Sequence, residues 1–337
     1  MASNEYEYAF LGGLRQDYFI THDGRSYQDI LGGNAVYAAV GARMWADSVG
    51  IFSRVGSNFP EAWIKQLSEA GFATDGIVIL PEPHDTRTFY AYISPEERVD
   101  TNPAAHYLRI NQPLPKELVG YRSSTEWQDN RETFGPLAIR PSDLSEQTSR
   151  LRGVHLAPGD YLTHASIPYR LRELGVPLIS LDPSTRYMDP SFQSELPVIV
   201  NGLDAFLPSE AETKAFFQPV GMDIWEMCES FGTMGCRFVV IKCGARGQVL
   251  WDSESKDRWR IPAYPAQLKD ATGAGDAFCG GFLVGLDRTN DPVEAALYGS
   301  VSASHTIEGT GALYALNTLP ELVHARLEAL RSLVRKI

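Results

Sequence analysis

Short apolar runs alternate with longer helical patterns through most of the 337-residue chain. The runs are rich in β-branched and aromatic residues and are bounded by glycine or proline, as buried strands are. We predict strands at 8–14, 49–55, 154–157, 177–181, 204–207 and 238–242, and helices at 33–45, 60–71, 166–175, 210–217 and 223–235. Because strand–helix–strand units favour right-handed crossovers, this alternation predicts a doubly wound α/β fold around a mostly parallel sheet.

The run DATGAGD at 270–276 leads directly into an apolar helical pattern. Gly273, Ala274 and Gly275 are small, so the N–H groups of the loop and first helical turn are free to point at an anion. Asp276 would repel a phosphate if it only bound one, but it suits a general base that deprotonates an attacking hydroxyl. The alternative is an ordinary glycine-rich turn followed by an acidic residue that favours a helix start.

The segment Thr272-Gly273-Ala274-Gly275-Asp276 resembles the C-terminal signature of the PfkB (ribokinase-like) carbohydrate kinases. Other landmarks of that family follow in the same order and span nearly the whole chain. They are Gly12-Gly13 followed by Asp17, Gly32-Gly33 before the small residues 35–42, Arg54-Val55-Gly56, the stretch 207–212 and the stretch 242–247.

The resemblance implies an α/β core of ribokinase-like fold with a small β-sheet lid over the substrate. The core would comprise 1–17, 32–84 and 136–337, and the lid would comprise 18–31 and 85–135. Residues 94–135 have no clear periodicity, and we interpret them as an insertion near the lid. Two helices joined through 309–312 are predicted beyond residue 291.

The resemblance also implies the roles of individual residues in an ATP-dependent kinase with a small hydroxyl compound as acceptor. Asp276 would be the catalytic base, and Gly273, Ala274 and Gly275 would form the anion hole. The residues expected to bind the acceptor are Asp17, Gly32, Gly33, Tyr37 and Arg98. Those expected to bind ATP are Lys242, Gly244, Gly247, Thr272 and Gly311.

Two metal ions are implied in the same way. Glu212 would hold Mg²⁺, which neutralises charge on the transferring phosphate. Asp270 would ligate a monovalent cation, K⁺, behind the anion hole. The alternative for Asp270 is a turn-capping role through the neighbouring backbone, which is common for aspartate.

Two departures from the family pattern bear on function. Ser209 replaces the asparagine of the magnesium motif, and Tyr37 replaces a sugar-contacting asparagine after the glycine pair. An aromatic ring at position 37 is able to stack on a base, so a nucleoside kinase is one alternative function. A protein of the family that has lost catalysis and acts in regulation or binding is another. A Rossmann dehydrogenase is not supported, because no G-x-G-x-x-G follows the first strand.

The formal net charge of −12 argues against a nucleic-acid or anionic-membrane partner, since both require a basic surface. The first residues are acidic and lack the apolar core of a signal peptide, and no run is long enough for a membrane helix. We therefore expect a cytoplasmic enzyme with a small-molecule substrate. The resemblance adds pairing of two copies through the lid as an expectation.

Overall fold

The computed structural model describes residues 6–95, 97–218 and 221–337. Within them the strands, in chain order, are β1 Tyr8–Leu11, β2 Arg15–Ile20, β3 Ser26–Gly32, β4 Val49–Val55, β5 Ile77–Ile79, β6 Arg87–Tyr92, β7 Arg98–Val99, β8 Gly153–Leu156, β9 Leu178–Leu181, β10 Ala205–Phe206, β11 Phe238–Lys242, β12 Gln248–Asp252, β13 Arg258–Ile261 and β14 Arg335–Lys336. The α-helices are α1 Asn34–Arg43, α2 Glu61–Glu69, α3 Pro103–Arg109, α4 Tyr161–Glu173, α5 Leu196–Val200, α6 Glu210–Phe216, α7 Ile224–Thr233, α8 Ala274–Thr289, α9 Pro292–Thr306 and α10 Pro320–Arg331.

Ten strands form one large sheet in the order β14-β13-β12-β11-β10-β9-β8-β1-β4-β5. The pairs from β5 through β11 are parallel, and the pairs that β12, β13 and β14 make are antiparallel. This arrangement confirms the predicted mostly parallel α/β fold. The first predicted strand, 8–14, is shorter than expected because it ends at Leu11, before the glycine pair.

Helices cover both faces of the large sheet. Along β1, Tyr8 and Phe10 join the apolar cluster that includes α1, α2, α8, α9 and α10, whereas Ala9 and Leu11 join the cluster with α4 to α7. The two sets alternate because successive strand side chains point to opposite faces. Among the described residues, no helix combines the length and apolar character needed to cross a lipid bilayer.

A second sheet of four strands, in the order β3-β2-β6-β7, forms the small lid. Its inner face carries Phe19, Tyr90 and Tyr92, which pack against Ala271 of the glycine-rich loop. Its outer face is covered by α3 and by apolar residues between 110 and 121. The sheet begins at Arg15 and includes 32, so Asp17 and Gly32 lie on lid strands.

Helices α1 and α8 lie in direct backbone contact. A Cβ atom at Gly41 would lie 2.1 Å from the Ala277 oxygen, and one at Gly280 would lie 1.8 Å from the Ala38 oxygen. Both distances are far below a van der Waals contact, so only glycine permits this approach. The contact fixes the beginnings of two helices relative to each other, one after the glycine pair and one after the DATGAGD loop.

We predict that Gly280→Ala destabilises the protein by at least about 1–3 kcal/mol, because the added methyl group must push α1 away from α8. The matched control is Gly221→Ala, at an exposed loop position where an added Cβ meets no atom within 4 Å. Chemical denaturation of both variants measures the difference. Equal stability of the two variants would show that the helix pair tolerates separation.

Candidate functional site

The glycine-rich loop ends in a left-handed residue that starts α8. Gly273 is the N-cap with φ of 73°, a conformation that glycine adopts without strain. The Ala274 N–H donates to the Ala271 oxygen at 3.3 Å, while the Gly275 N–H has no backbone acceptor among the described residues. The donor available to an anion here is therefore Gly275 more than Ala274, although the sequence analysis assigned both.

Asp276 follows in the first turn of α8 and is partly exposed. Burial raises the pKa of Asp276 to about 6, and the positive charges of Lys242 and Arg98 limit the rise. A carboxylate with this pKa is largely ionised at neutral pH and still basic enough to accept a proton. Its position beside the Gly275 amide therefore suits proton abstraction next to a bound anion.

A largely buried lysine–aspartate pair lies directly behind the loop. The Lys242 ammonium forms a short ion pair with Asp182, and a Cβ at Gly275 would lie 3.4 Å from the Lys242 nitrogen. The Cys279 sulfur lies 3.6 Å from the same nitrogen and 3.5 Å from an Asp182 oxygen. Burial alone would lower the pKa of Lys242, but the Asp182 charge raises it, so the lysine is charged. Lys242 thus adds positive charge beside the anion hole.

The opposite wall of the site is acidic and lies on the lid. Asp17 is 5% exposed and accepts a hydrogen bond from the Tyr90 hydroxyl at 3.3 Å. A Cβ at Gly32 would lie 1.8 Å from an Asp17 oxygen, so Gly32 leaves the space that this carboxylate occupies. Burial raises the pKa of Asp17 to about 7, because the opposing effects of Tyr90 and Arg15 are smaller.

Tyr37 lies beneath the loop. A Cβ at Gly273 would fall 2.0 Å from the Tyr37 ring, so the ring and the loop are in contact and position 273 must lack a side chain. The ring is 3% exposed, and its hydroxyl has no hydrogen-bond partner in the structure described. Burial raises the pKa of Tyr37 well above its usual value, and the negative charges of Asp17 and Asp270 add to the rise.

The lid is tied to the glycine-rich loop. The hydroxyls of Tyr92 and Thr272 are 3.2 Å apart, within hydrogen-bond distance. Arg98 is exposed on β7, with its guanidinium carbon 5.3 Å from the centre of the Tyr90 ring. The lid arginine is therefore on the inner side, above the aromatic residues.

Asn34, which the sequence analysis did not single out, joins three strand and helix ends. Its carboxamide oxygen accepts from Gly13 N–H at 2.8 Å, and its nitrogen donates to the Pro158 oxygen at 2.5 Å. The adjacent Gly33 has φ of 108°, and a Cβ there would lie 2.1 Å from the Gly13 oxygen. Asn34 therefore fixes the glycine pair against the carboxyl ends of β1 and β8.

The glycines expected to contact the nucleotide differ in their surroundings. A Cβ at Gly244 or Gly311 would meet no atom within 4 Å, which leaves both sites open to a ligand. At Gly247 it would lie 2.1 Å from the Ile261 oxygen, so this glycine is required by the connection between β11 and β12. The backbone connection therefore requires glycine at position 247, whether or not this residue binds the nucleotide.

The two residues expected to hold metals are both engaged within the chain. One Glu212 oxygen accepts from the Ser209 N–H at 2.8 Å and from its hydroxyl at 2.6 Å, which forms a capping box at the start of α6. Asp270, 2% exposed, accepts from the Thr272 N–H at 3.0 Å. Within the described ranges, no group of three or more His, Cys, Asp or Glu side chains is arranged to hold a metal. Glu212 therefore fits Mg²⁺ only as one carboxylate beside phosphate oxygens and water.

The site thus combines an unpaired amide, a buried cation and a partly exposed carboxylate on one wall, with a second carboxylate and tyrosines on the other. Asp182, Tyr90 and Tyr92 were not assigned site roles from sequence. Asp182 is 60 residues from its partner Lys242, so no local pattern connects them. The capping box at 209–212 was visible as S-x-x-E, the usual signature of a helix start.

Comparison with known proteins finds kinases among the similar sequences and structures. Residues 169–319 match the pfkB family carbohydrate kinases. A cytidine kinase of Thermococcus kodakarensis is 24% identical over 303 residues, which cover 89% of this chain and 96% of that protein.

Solved structures show the same fold at low identity. The fructokinase of Xylella fastidiosa with bound ATP superposes with a TM-score of 0.71 at 17% identity, covering 97% of this chain and 99% of that one. The nucleoside kinase of Methanocaldococcus jannaschii gives 0.67 at 20% identity, covering 97% and 100%. The chain has the ribokinase-like fold that its motifs predict, and its residues 169–319 match the pfkB family of carbohydrate kinases.

Proposed function

We propose that this protein transfers the γ-phosphate of ATP to a hydroxyl group of a sugar or a sugar-bearing small molecule. The observation that carries the proposal is the pairing of Asp276 with the Gly275 amide at the start of α8. Asp276 removes the proton of the acceptor hydroxyl, and the amide receives the negative charge of the transferring group. Kinases of known structure with this fold, such as the fructokinase with bound ATP, support the choice of donor.

Lys242 contributes to the same step without contacting the acceptor. Its ammonium lies behind Gly275 and is held by Asp182, so its positive charge is fixed before ATP binds. Preorganised charge of this kind stabilises the phosphate oxygens in the transition state. Mg²⁺, held by the phosphates and by Glu212, would neutralise further charge there. Thr272, Gly244 and Gly311 would contact the nucleotide.

The acceptor is proposed to lie between Asp276 and Asp17, under the lid. Asp17 would accept hydrogen bonds from further hydroxyl groups, and Gly32 and Gly33 would let the backbone approach them. Tyr37 would present its hydroxyl to the acceptor from below, and Arg98 would close the site from above. The intact base and anion hole weigh against the alternative of a binding protein without catalysis.

We predict that Asp276→Asn folds and binds ATP but loses phosphoryl transfer by about 10²–10⁴ in rate, the usual loss when a general base is removed. The measurement is single-turnover transfer to an accepted substrate, with ATP binding followed by calorimetry. Turnover close to that of the parent would refute the assignment of Asp276.

The pH dependence tests the same residue in the intact enzyme. A base must be ionised, so kcat/KM should fall as the pH drops below about 6, the raised pKa of Asp276. Asp17, with its pKa raised to about 7, titrates nearby. The Asp17→Asn variant retains Asp276, so its kcat/KM should still fall as the pH drops below about 6. If the variant no longer shows this fall, the acidic limb of the profile belongs to Asp17.

A further prediction concerns the unpartnered hydroxyl of Tyr37. Tyr37→Phe keeps the ring against Gly273 and removes only the hydroxyl, so stability should change little or rise, because a buried unsatisfied group is lost. If the hydroxyl binds the acceptor, KM for the acceptor should rise about tenfold while the affinity for ATP is unchanged. An unchanged KM would show that Tyr37 only packs under the loop. Tyr37→Asn, which also creates a cavity, should in addition lose about 1–3 kcal/mol of stability.

We also propose a K⁺ site at Asp270. An ion bound there would fix the direction of the loop amides; a single donor in the oxyanion hole of an enzyme contributes about 2.7–4 kcal/mol. Asp270 has one oxygen on the Thr272 N–H, and the other is the proposed ligand.

We predict that the parent is faster in K⁺ than in tetramethylammonium at equal ionic strength, and that the rate of Asp270→Ala is the same in both salts. Steady-state rates in both salts are the measurement. Equal rates of the parent in the two salts would leave Asp270 with its capping role alone.

Pairing of two copies through the lid stays a proposal with one structural constraint. The outer face of the lid is covered by α3 and its neighbours, so pairing would use an edge strand, β3 or β7. A cytoplasmic location is likewise proposed from the sequence.

A further inference from the structure

Three arginines lie together at the outer edge of the large sheet, and we call Arg258, Arg260 and Arg335 the edge arginines. Arg258 and Arg260 are two residues apart on β13, and β14 places Arg335 directly opposite Arg260. Residues two apart on a strand point to the same side of the sheet, and so do residues that face each other across antiparallel strands. All three side chains therefore lie on one face of the last two strands.

Two buried tryptophans lie beneath β13 on this face. The Arg258 guanidinium carbon is 5.6 Å from the centre of the Trp225 ring and 5.0 Å from that of the Trp251 ring. The Arg260 guanidinium carbon is 5.5 Å from the centre of the Trp225 ring. A guanidinium held over a ring keeps its N–H groups available for an anion. The ring also restricts the motion of the side chain, so less conformational entropy is lost when an anion binds.

The edge arginines lack an anionic partner within the described part of the chain, where none of them forms an ion pair or a side-chain hydrogen bond. By contrast, the neighbouring Lys336 pairs with Asp257. On α7, Asp223 and Glu226 are engaged with backbone N–H groups in a capping box. Two like charges directly opposite each other on paired strands repel, as Arg260 and Arg335 do here. An external anion at this edge would relieve that repulsion.

This surface is separate from the proposed phosphate site. Trp225 and Trp251 belong to the apolar cluster of α4 to α7, whereas α8, which begins at the anion hole, packs against the opposite face of the large sheet. A phosphate bound at Gly275 would therefore lie toward the other face. Binding at the edge arginines would be independent of the proposed phosphoryl transfer.

The position of these residues favours one kind of anionic partner. Arg260 and Arg335 are exposed, and β14 is the last strand of the sheet that the described residues form. An extended peptide is able to pair with the outer edge of such a strand, and every second side chain of the peptide then lies on the face of the edge arginines. Carboxylates in those positions suit the planar fork of a guanidinium.

A long polyanion fits this surface less well. A nucleic acid would extend beyond three arginines onto the remaining surface of a chain with a formal net charge of −12, which repels it. It also has no backbone amides with which to pair beside β14. A short acidic peptide meets neither obstacle.

We propose that the edge arginines bind an acidic segment of a partner protein, which adds to the large sheet as a strand beside β14. Carboxylates at alternate positions of that segment would face Arg335 and Arg260, and main-chain hydrogen bonds to β14 would fix its register. None of the motifs that point to the kinase site includes an edge arginine.

The test measures the binding of a fluorescein-labelled peptide that alternates glutamate and valine, by fluorescence anisotropy with the whole protein. We expect saturable binding that weakens as the salt concentration rises. A peptide of the same composition with all glutamates at one end should bind at least about tenfold more weakly, because its carboxylates do not share one face of a strand. Hydrogen exchange should show protection of the β14 amides by the alternating peptide.

Variants of the edge arginines assign the binding to this surface. We expect Arg335→Gln to weaken peptide binding at least about threefold, and the combined Arg258→Gln, Arg260→Gln and Arg335→Gln variant at least about tenfold. The matched control is Arg288→Gln, which removes an exposed arginine from α8 and should bind the peptide as the parent does. Thermal melting checks folding, and the exposed Arg335→Gln decides the test if the combined variant does not fold.

Four results would overturn the proposal. They are equal affinity of the parent and the combined variant, equal affinity for the alternating and the block peptide, unprotected β14 amides in the complex, and an equal loss of affinity in Arg288→Gln and Arg335→Gln, which would indicate attraction by net charge alone. Tighter binding of an oligothymidylate than of the alternating peptide would also overturn it, in favour of a nucleic-acid surface.

Discussion

The backbone contact between α1 and α8 is the constraint on which the site depends. Each helix begins with one half of the site: α1 follows the glycine pair at 32–33, and α8 follows the loop with Gly273. Gly41 and Gly280 bring the two axes so close that neither helix is able to shift without the other. The Tyr37 ring projects from α1 under Gly273 and completes the coupling. The separation of the proposed acceptor site and anion hole is therefore set by the core.

Burial of charge is the second physical theme. Asp182 and Lys242 lie under the loop, Asp17 lies on the lid, and Asp276 lies between them, so four ionisable groups share one poorly hydrated region. Such an arrangement costs free energy unless the charges compensate one another. The cost is typical of functional sites, where the pKa of a carboxyl group is raised towards pH 7 so that the carboxylate is a useful base.

The sequence predicted the fold class and the loop–helix junction well, because both depend on local patterns. Apolar runs of strand length identified β1, β4, β8, β9, β10 and β11, and small residues before an apolar helix identified the start of α8. The antiparallel strands β12 to β14 followed no clear alternation with helices and were not predicted.

For the site residues too, the sequence predicts what depends on local pattern and misses what depends on contacts between distant residues. Gly273 and Asp276 lie at the loop–helix junction that the local pattern predicts, but their surroundings depend on tertiary contacts. The Asp182–Lys242 pair and the contact of Tyr37 with Gly273 join residues far apart in the chain, which no spacing rule reveals. Ala274 shows the limit of motif reasoning at atomic scale, because its N–H turns back to Ala271.

The contact between Tyr92 and Thr272 links the position of the lid to the order of the glycine-rich loop. Thr272 precedes the residue that starts α8, so the lid touches the loop one residue from the anion hole. In the proposed reaction, raising the lid would break that hydroxyl contact and leave the loop held by the Asp270 bond to the Thr272 N–H and by the Tyr37 ring. Part of the order of the loop would therefore depend on a lowered lid, and a nucleotide bound under a raised lid would face a less firmly held amide.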